Sequence, residues 1–217
     1  MVENATVVPA TGTPKPEVVS AQEWQEARDA LLAEEKKATR ALDALAARRR
    51  RLPMVRFDNS YAFQAPDGTR SLLDLFDGRG QLVVYQFMDV GPDRFCPGCT
   101  AVINSIPANG LAQLAQRGVS WATVSDMPLD QIEAYRARMG WAVPFVSSRG
   151  TTFARDCGVA GFMLSVFLRD GDEVYRTYTT EARGVDRMLW VNNVLDLTPY
   201  GRQEKWEDSP PGWPQPH

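Results

Sequence analysis

Histidine is almost missing from this chain. The one copy in 217 residues is His217, at the end of a proline-rich tail. That excludes a Ser-His-Asp or Cys-His catalytic unit and a histidine-rich metal centre. Cysteine is scarce as well, with three residues, too few for a disulfide scaffold in a chain of this length. No apolar run approaches membrane-spanning length. Residues 1–15 lack the basic start and apolar stretch of a signal peptide. The expectation is a cytoplasmic protein with no membrane partner. Excess positive charge is absent too, and a net charge of −3 argues against nucleic acid as a partner. The run Arg48-Arg49-Arg50-Arg51 reads as favourable charge at a helix C-terminus rather than as a phosphate patch. Chemistry must then come from cysteines, carboxylates, arginines and backbone, with no cofactor expected.

Two of the three cysteines stand together in Cys96-Pro97-Gly98-Cys99. Before them Leu82 to Met88 reads as a buried strand, and a polar loop runs from Asp89 to Phe95. After them Thr100-Ala101-Val102-Ile103 continues a helix. A strand, a loop and Cys-x-x-Cys opening a helix form the pattern of a thioredoxin-like redox site. Unpaired N–H groups and the dipole at the helix start favour a thiolate on Cys96. Pro97 suits the first helical position, where its missing N–H costs nothing. Cys99 is close enough to attack a mixed disulfide on Cys96. Arg94 adds positive charge nearby, and Asp93 partly cancels it. The rival reading, half of a zinc site, needs ligands that only Cys157 and His217 offer.

Along the chain, residues 1–17 read as a flexible arm and 18–53 as a long helix. Ser20 and Glu23 form its capping box, and Pro53 stops it. Trp24, Leu31, Ala38, Leu45 and Leu52 recur every seven residues, a narrow seam for another helix or a dimer partner. Residues 54–200 read as a thioredoxin-like domain and 201–217 as an extended tail. Within the domain, Met54 to Ala65 reads as a hairpin turning at Asp58-Asn59-Ser60, followed by a turn at Pro66-Asp67-Gly68. Ser71 to Phe76 is a short helical piece. Pro107 breaks the Cys-x-x-Cys helix. Val119 to Val124 is a strand parallel to the first. Ser125 or Asp126 caps the next helix, which ends at Gly140. Pro144 puts Val143 to Val146 at a sheet edge. Phe153 to Val159 gives one helical turn. Asp170-Gly171-Asp172 joins a hairpin, and Val185 to Leu195 forms a last helix. The order βαβ, α, β-hairpin, α is that of an α/β, thioredoxin-like central sheet flanked by helices. In such sheets sites lie at the carboxyl ends of strands, where Cys96 falls.

The sequence resembles the bacterial thioredoxin-like family known as domain of unknown function 899. The likeness is carried by Trp24 to Lys36, Arg50 to Pro53, Leu75 to Gly78, Phe87-Met88 and Cys96 to Cys99. Arg138 to Trp141, Thr177-Tyr178, Ala182 to Gly184 and Leu197 to Arg202 extend it, so that it spans about residues 18–207. The resemblance implies a dithiol-disulfide oxidoreductase without naming a substrate. This chain departs from the family pattern in a shorter loop before Cys96, and in Gln86 and Arg176 where the family often has histidines. The core is also similar to a peroxiredoxin. Against that pattern, Asp93 occupies the place of a threonine and Leu164 that of an arginine, which weakens thiolate activation and peroxide polarisation. Phe162-Met163 stands where thioredoxins carry a cis-proline.

Cys157 reads as a buried core thiol, with a third redox thiol facing Cys96 as the alternative. Arg183 reads as a solvated loop arginine or as a hold for an anionic substrate. Pro97 and Gly98 support the pair. Three functions follow. The first is a thiol-disulfide oxidoreductase in which Cys96 attacks and Cys99 resolves. Its partners are a protein or small-molecule disulfide, an unnamed thiol electron donor and a second copy in a homodimer. The second is a peroxiredoxin-like peroxidase. The third is a tailoring or small-molecule-binding protein of specialised metabolism that does not turn over its cysteines.

Overall fold

The computed structural model describes residue 12, residues 14–159 and residues 161–214. Most of the expected arm and His217 lie outside the described residues. The chain divides into two compact units, one of residues 46–189 and one made of the segments before and after it. No described helix is long and apolar enough to cross a membrane.

In the flanking segments, α1 (Ala21–Arg49) starts on the expected capping box. The Ser20 backbone N–H donates to Glu23 Oε2 at 2.9 Å, and the Glu23 N–H donates to Ser20 Oγ at 3.3 Å. The helix ends before Pro53 and buries none of its residues. Its seam is open to solvent, with Trp24 58% and Leu31 55% exposed.

The larger unit holds β1 (Val55–Phe57), β2 (Ala62–Ala65), β3 (Gly68–Ser71), α2 (Leu72–Leu75) and β4 (Gln81–Gln86). Then come α3 (Pro97–Asn104), α4 (Gly110–Ala115), β5 (Val119–Ser125), α5 (Leu129–Met139), β6 (Phe145–Ser147) and α6 (Phe153–Cys157). It closes with β7 (Met163–Asp170), β8 (Glu173–Thr180) and a 3-10 helix, Ala182–Met188. Among the described residues, eight strands form one sheet in the order β1-β8-β7-β4-β5-β6-β2-β3. β4 and β5 are parallel, while β7 runs antiparallel to β4 and to β8. The order β5-β4-β7-β8 is the thioredoxin core.

Side chains alternate across a strand, and on β4 the alternation divides two cores. Leu82 and Val84 face one core with Phe57, Tyr61, Phe63, Phe153, Phe167 and Cys157. Tyr85 and Phe87 face the other, with Cys99, Val102, Ile103, Ile132 and Tyr135. Each fully buried aromatic stabilises the sheet by about 1.5–3 kcal/mol, so both faces are firmly covered.

Four local expectations are corrected. The stretch 54–65 is not a hairpin, since β1 pairs with β8 and β2 with β3 and β6. Asp58-Asn59-Ser60 does turn, with the Ser60 N–H on Asp58 Oδ1. The strands leaving that turn go to different parts of the sheet because Phe57, Tyr61 and Phe63 all enter one core. β6 is not an edge strand: it lies between β5 and β2, and Pro144 precedes it, where no ladder donor is lost. Ser125 and Asp126 do not cap α5, which starts after Pro128 without a side-chain cap. Ser125 Oγ instead accepts the Met127 N–H, and Asp126 Oδ1 accepts the Ser148 hydroxyl. The expected last helix is two pieces, the 3-10 helix and α7 (Trp190–Leu195), in different compact units.

Candidate active site

β4 delivers the chain to the site. Just beyond its end, the Met88 N–H points at Cys99 Sγ, 3.5 Å away. The loop that follows is pinned at its base by a bridge between Asp89 and Phe95. Asp89 Oδ1 accepts the Gly91 N–H at 2.9 Å, and Gly91 takes a φ of 97°, which a glycine adopts without strain. Asp93 sits at φ 56°, a region that aspartate tolerates better than most residues.

α5 holds this loop from outside. The Phe95 ring stacks on Tyr135, with centroids 3.5 Å apart and planes within 11°. The Arg138 guanidinium lies over both rings, 4.9 and 4.8 Å from their centroids. Gln131 Nε2 donates to the Gly91 carbonyl at 3.2 Å. Sequence reasoning missed this clamp. The available signal was the spacing of Gln131, Tyr135 and Arg138, four and three residues apart on one helix face.

Cys96 is the N-cap of α3, with Pro97 at the first helical position. Its sulfur accepts the Cys99 N–H at 3.4 Å. Its carbonyl accepts the Thr100 hydroxyl at 2.9 Å, and Thr100 Oγ1 is 2.7 Å from Tyr135 Oη. The Thr100 proton is committed to Cys96, so Tyr135 donates to Thr100. Both thiols are free, Cys96 half-buried and Cys99 1% exposed. Burial pushes the Cys99 thiol up to about 11, against the opposing pull of the Met88 N–H and the Tyr85 hydroxyl. That hydroxyl is itself buried without a hydrogen bond of ordinary geometry, and burial pushes its pKa up too.

The structure thus brings together Cys96, Pro97, Gly98 and Cys99, with Arg94 exposed on the adjoining loop. A cleft of about 480 Å³ lies between the loop before Cys96 and α5, lined by Asp93, Phe95, Tyr135 and Arg138 among others, with neither thiol in its lining. Cys157 ends α6 in the other core. Burial takes its thiol to about 12 despite nearby Arg176, which donates to the Cys157 carbonyl at 2.9 Å. Arg183 lies in the 3-10 helix, 3.4 Å from Asp186. Leu164 faces Tyr85 across the ladder and is buried in the Cys99 core. No group of three or more His, Cys, Asp or Glu among the described residues is placed to hold a metal.

A parallel β-α-β unit, an antiparallel hairpin and a helix opening on Cys-Pro-Gly-Cys define a thioredoxin-fold protein. Residues 13–216 match the family described as bacterial protein of unknown function (DUF899), and the chain belongs to it. No curated protein matches. Among solved structures, PrxQ of Xylella fastidiosa in a cysteine-to-serine form is similar at 18% identity and a TM-score of 0.42, covering 65% of this chain and 97% of that one. The peroxidoxin BcpB of Mycobacterium tuberculosis gives 19%, 0.42, 63% and 95%. A Chlorobium tepidum protein assigned as the thiol:disulfide interchange protein DsbE gives 12%, 0.46, 64% and 98%.

Proposed function

We propose that the protein is a thiol-disulfide oxidoreductase that uses Cys96 and Cys99. The observation that carries this reading is the asymmetry of the pair. One sulfur belongs to a half-buried residue that caps a helix, while the other is buried one turn on. The Cys96 sulfur attacks a substrate disulfide, and the sulfur–sulfur bond breaks. One substrate thiolate leaves and takes a proton from water. The other half stays on Cys96 as a mixed disulfide. Charge on Cys96 is met by the Cys99 N–H and the helix start. Cys99 then loses its proton and attacks Cys96, releasing the second substrate thiol and closing a Cys96–Cys99 disulfide. Two electrons have moved to the substrate, and an external thiol donor returns them. The Met88 N–H steadies the Cys99 thiolate during its attack.

Pro97 and Gly98 keep the turn between the sulfurs open, and Arg94 offers positive charge to an approaching substrate. Arg183 and Cys157 serve outside the exchange, the first in its pairing with Asp186 and the second in packing. A peroxidase is less well supported, because Asp93 and Leu164 supply neither the hydroxyl nor the cation that would polarise a peroxide. The reducing cytoplasm is the fitting compartment, and the open seam of α1 fits a second copy of the chain.

The test is a redox titration in glutathione buffers, with free thiols alkylated and located by peptide mass. A reversible two-electron change at Cys96 and Cys99 is expected. A pair that stays reduced or oxidised across the whole range sinks the reading. Light scattering at the mass of one chain removes the homodimer.

A further inference from the structure

A second site lies on the sheet face opposite the thiol pair. Gln86, the last residue of β4, sits in an otherwise apolar run and is 4% exposed. Its Oε1 is wholly buried and has no hydrogen-bond partner among the described residues. A buried acceptor left unpaired is costly, so a protein that keeps one usually gives it a ligand or a water. Gln86 borders a cavity of about 180 Å³ at the carboxyl ends of β4, β5 and β6. Carboxyl ends of parallel strands are where sheets of this kind bind ligands.

The lining fixes the chemistry. Val124, Ala154 and Val159 give apolar walls, while Asp126 and Asp89 bring carboxylates. The Ser148 hydroxyl spends its proton on Asp126 Oδ1 at 2.5 Å, so it too presents an acceptor. No lysine, arginine or histidine among the described residues lines the cavity. Acceptors and negative charge without any cation fit a ligand that donates protons and carries positive charge. An anion is repelled. The volume holds about six water-sized groups.

We propose that this cavity binds a small organic cation, a primary ammonium on a short apolar chain, with the ammonium held by Gln86 Oε1 and Asp126. The site is separate from the redox pair, since Gln86 and Cys99 face different cores, and the inference stands whether or not the cysteines turn over. The two sites meet at Phe87, which borders the cavity and packs in the Cys99 core, and at Met88, which borders the cavity and whose N–H points at Cys99 Sγ.

The probe is butylammonium chloride, titrated into the full-length protein labelled with nitrogen-15, with sodium butyrate at equal ionic strength as the isostere. Butylammonium is expected to shift the Gln86 side-chain amide signals saturably, together with the backbone signals of Val124 and Asp126. Butyrate is expected to bind at least about tenfold more weakly, the loss that a reversed charge at one contact implies. Gln86→Leu and Asp126→Asn each weaken butylammonium about tenfold with the circular dichroism spectrum unchanged. Ala154→Leu, which fills the cavity from α6, abolishes binding. Equal binding of butyrate overturns the proposal. So do shifts that persist in Ala154→Leu, or Gln86 amide signals that report contact with a trapped water alone and ignore butylammonium.

Discussion

Two of the three cysteines are buried on opposite faces of one sheet, Cys99 at 1% exposure and Cys157 at 4%. Burial raises both thiols, to about 11 and about 12. By burial alone they are the same kind of group. Their neighbours separate them. Cys99 has a backbone N–H aimed at its sulfur and a half-exposed thiol three residues away. Cys157 sits among Phe57, Tyr61, Phe153 and Phe167. Burial by itself makes a thiol inert. Reactivity comes from a half-exposed partner on a helix start, which Cys157 lacks.

The strongest way to break this comparison is to remove sulfurs one at a time. Reduced protein mixed with a chromogenic aromatic disulfide should react in a fast phase read by stopped flow. Cys96→Ser should slow that phase by about a thousandfold, the scale of losing a nucleophile. Cys99→Ser should stop at a mixed disulfide on Cys96, visible as an intact-mass increase. Cys157→Ala should leave both rate and midpoint within about twofold, as expected of a residue outside the reaction. A large loss in Cys157→Ala would give that thiol a redox role after all.

The two faces also differ in what a cavity costs. Phe153 is fully buried against Phe57, Tyr61, Phe63 and Phe167. Phe153→Ala should destabilise the protein by about 3–5 kcal/mol in urea without moving the redox midpoint. On the other face, Tyr135→Phe removes one hydroxyl from the chain Tyr135–Thr100–Cys96 carbonyl. It should cost only about 1 kcal/mol yet alter the rate at Cys96. Reversed behaviour would place the clamp on α5 outside the site.

Much of the thiol face was legible in the sequence. Cys96-Pro97-Gly98-Cys99 after an apolar run specifies a strand end, a cap and a first helical turn through purely local rules. The β7–β8 hairpin was equally local, fixed by the turn at Asp170-Gly171-Asp172. What failed was pairing over distance. Alternation in residues 54–65 tells which side chains point inward, and it says nothing about which strand accepts the backbone. The clamp of Phe95 by Tyr135 joins residues 40 apart in sequence with no local signature. Gln86 looked like one polar residue in a buried strand. Only the fold reveals that its amide ends at a cavity beside Asp126 and Ser148.

Alkaline pH tests both thiols together. A buried thiol whose folded pKa lies above its unfolded value, near 8.5, stabilises the fold fully below that value. The contribution is lost as pH rises toward about 11 for Cys99 and about 12 for Cys157. In that window each thiol should reduce the unfolding free energy by about 1.4 kcal/mol per pH unit. Urea midpoints at pH 8 and 10 should therefore drop, and Cys157→Ala should flatten about half of the fall. A slope unchanged in that variant would mean that Cys157 meets solvent more than its burial implies.

The smallest effect is expected at Ser165, and it sharpens the contrast most finely. Its hydroxyl is fully buried on the Cys157 face, beside that thiol, without a hydrogen bond of ordinary geometry. Removing an unsatisfied polar atom relieves its desolvation, whereas the small void left behind costs packing. The two offset one another, so Ser165→Ala should change stability by less than about 1 kcal/mol and can raise it. Measured by urea unfolding at neutral pH, a loss of about 2 kcal/mol or more would mean that the hydroxyl has a partner in solution. The nearest candidate is the Cys157 thiol. The same loss persisting in Cys157→Ala would exclude that thiol and point to water on this face of the sheet.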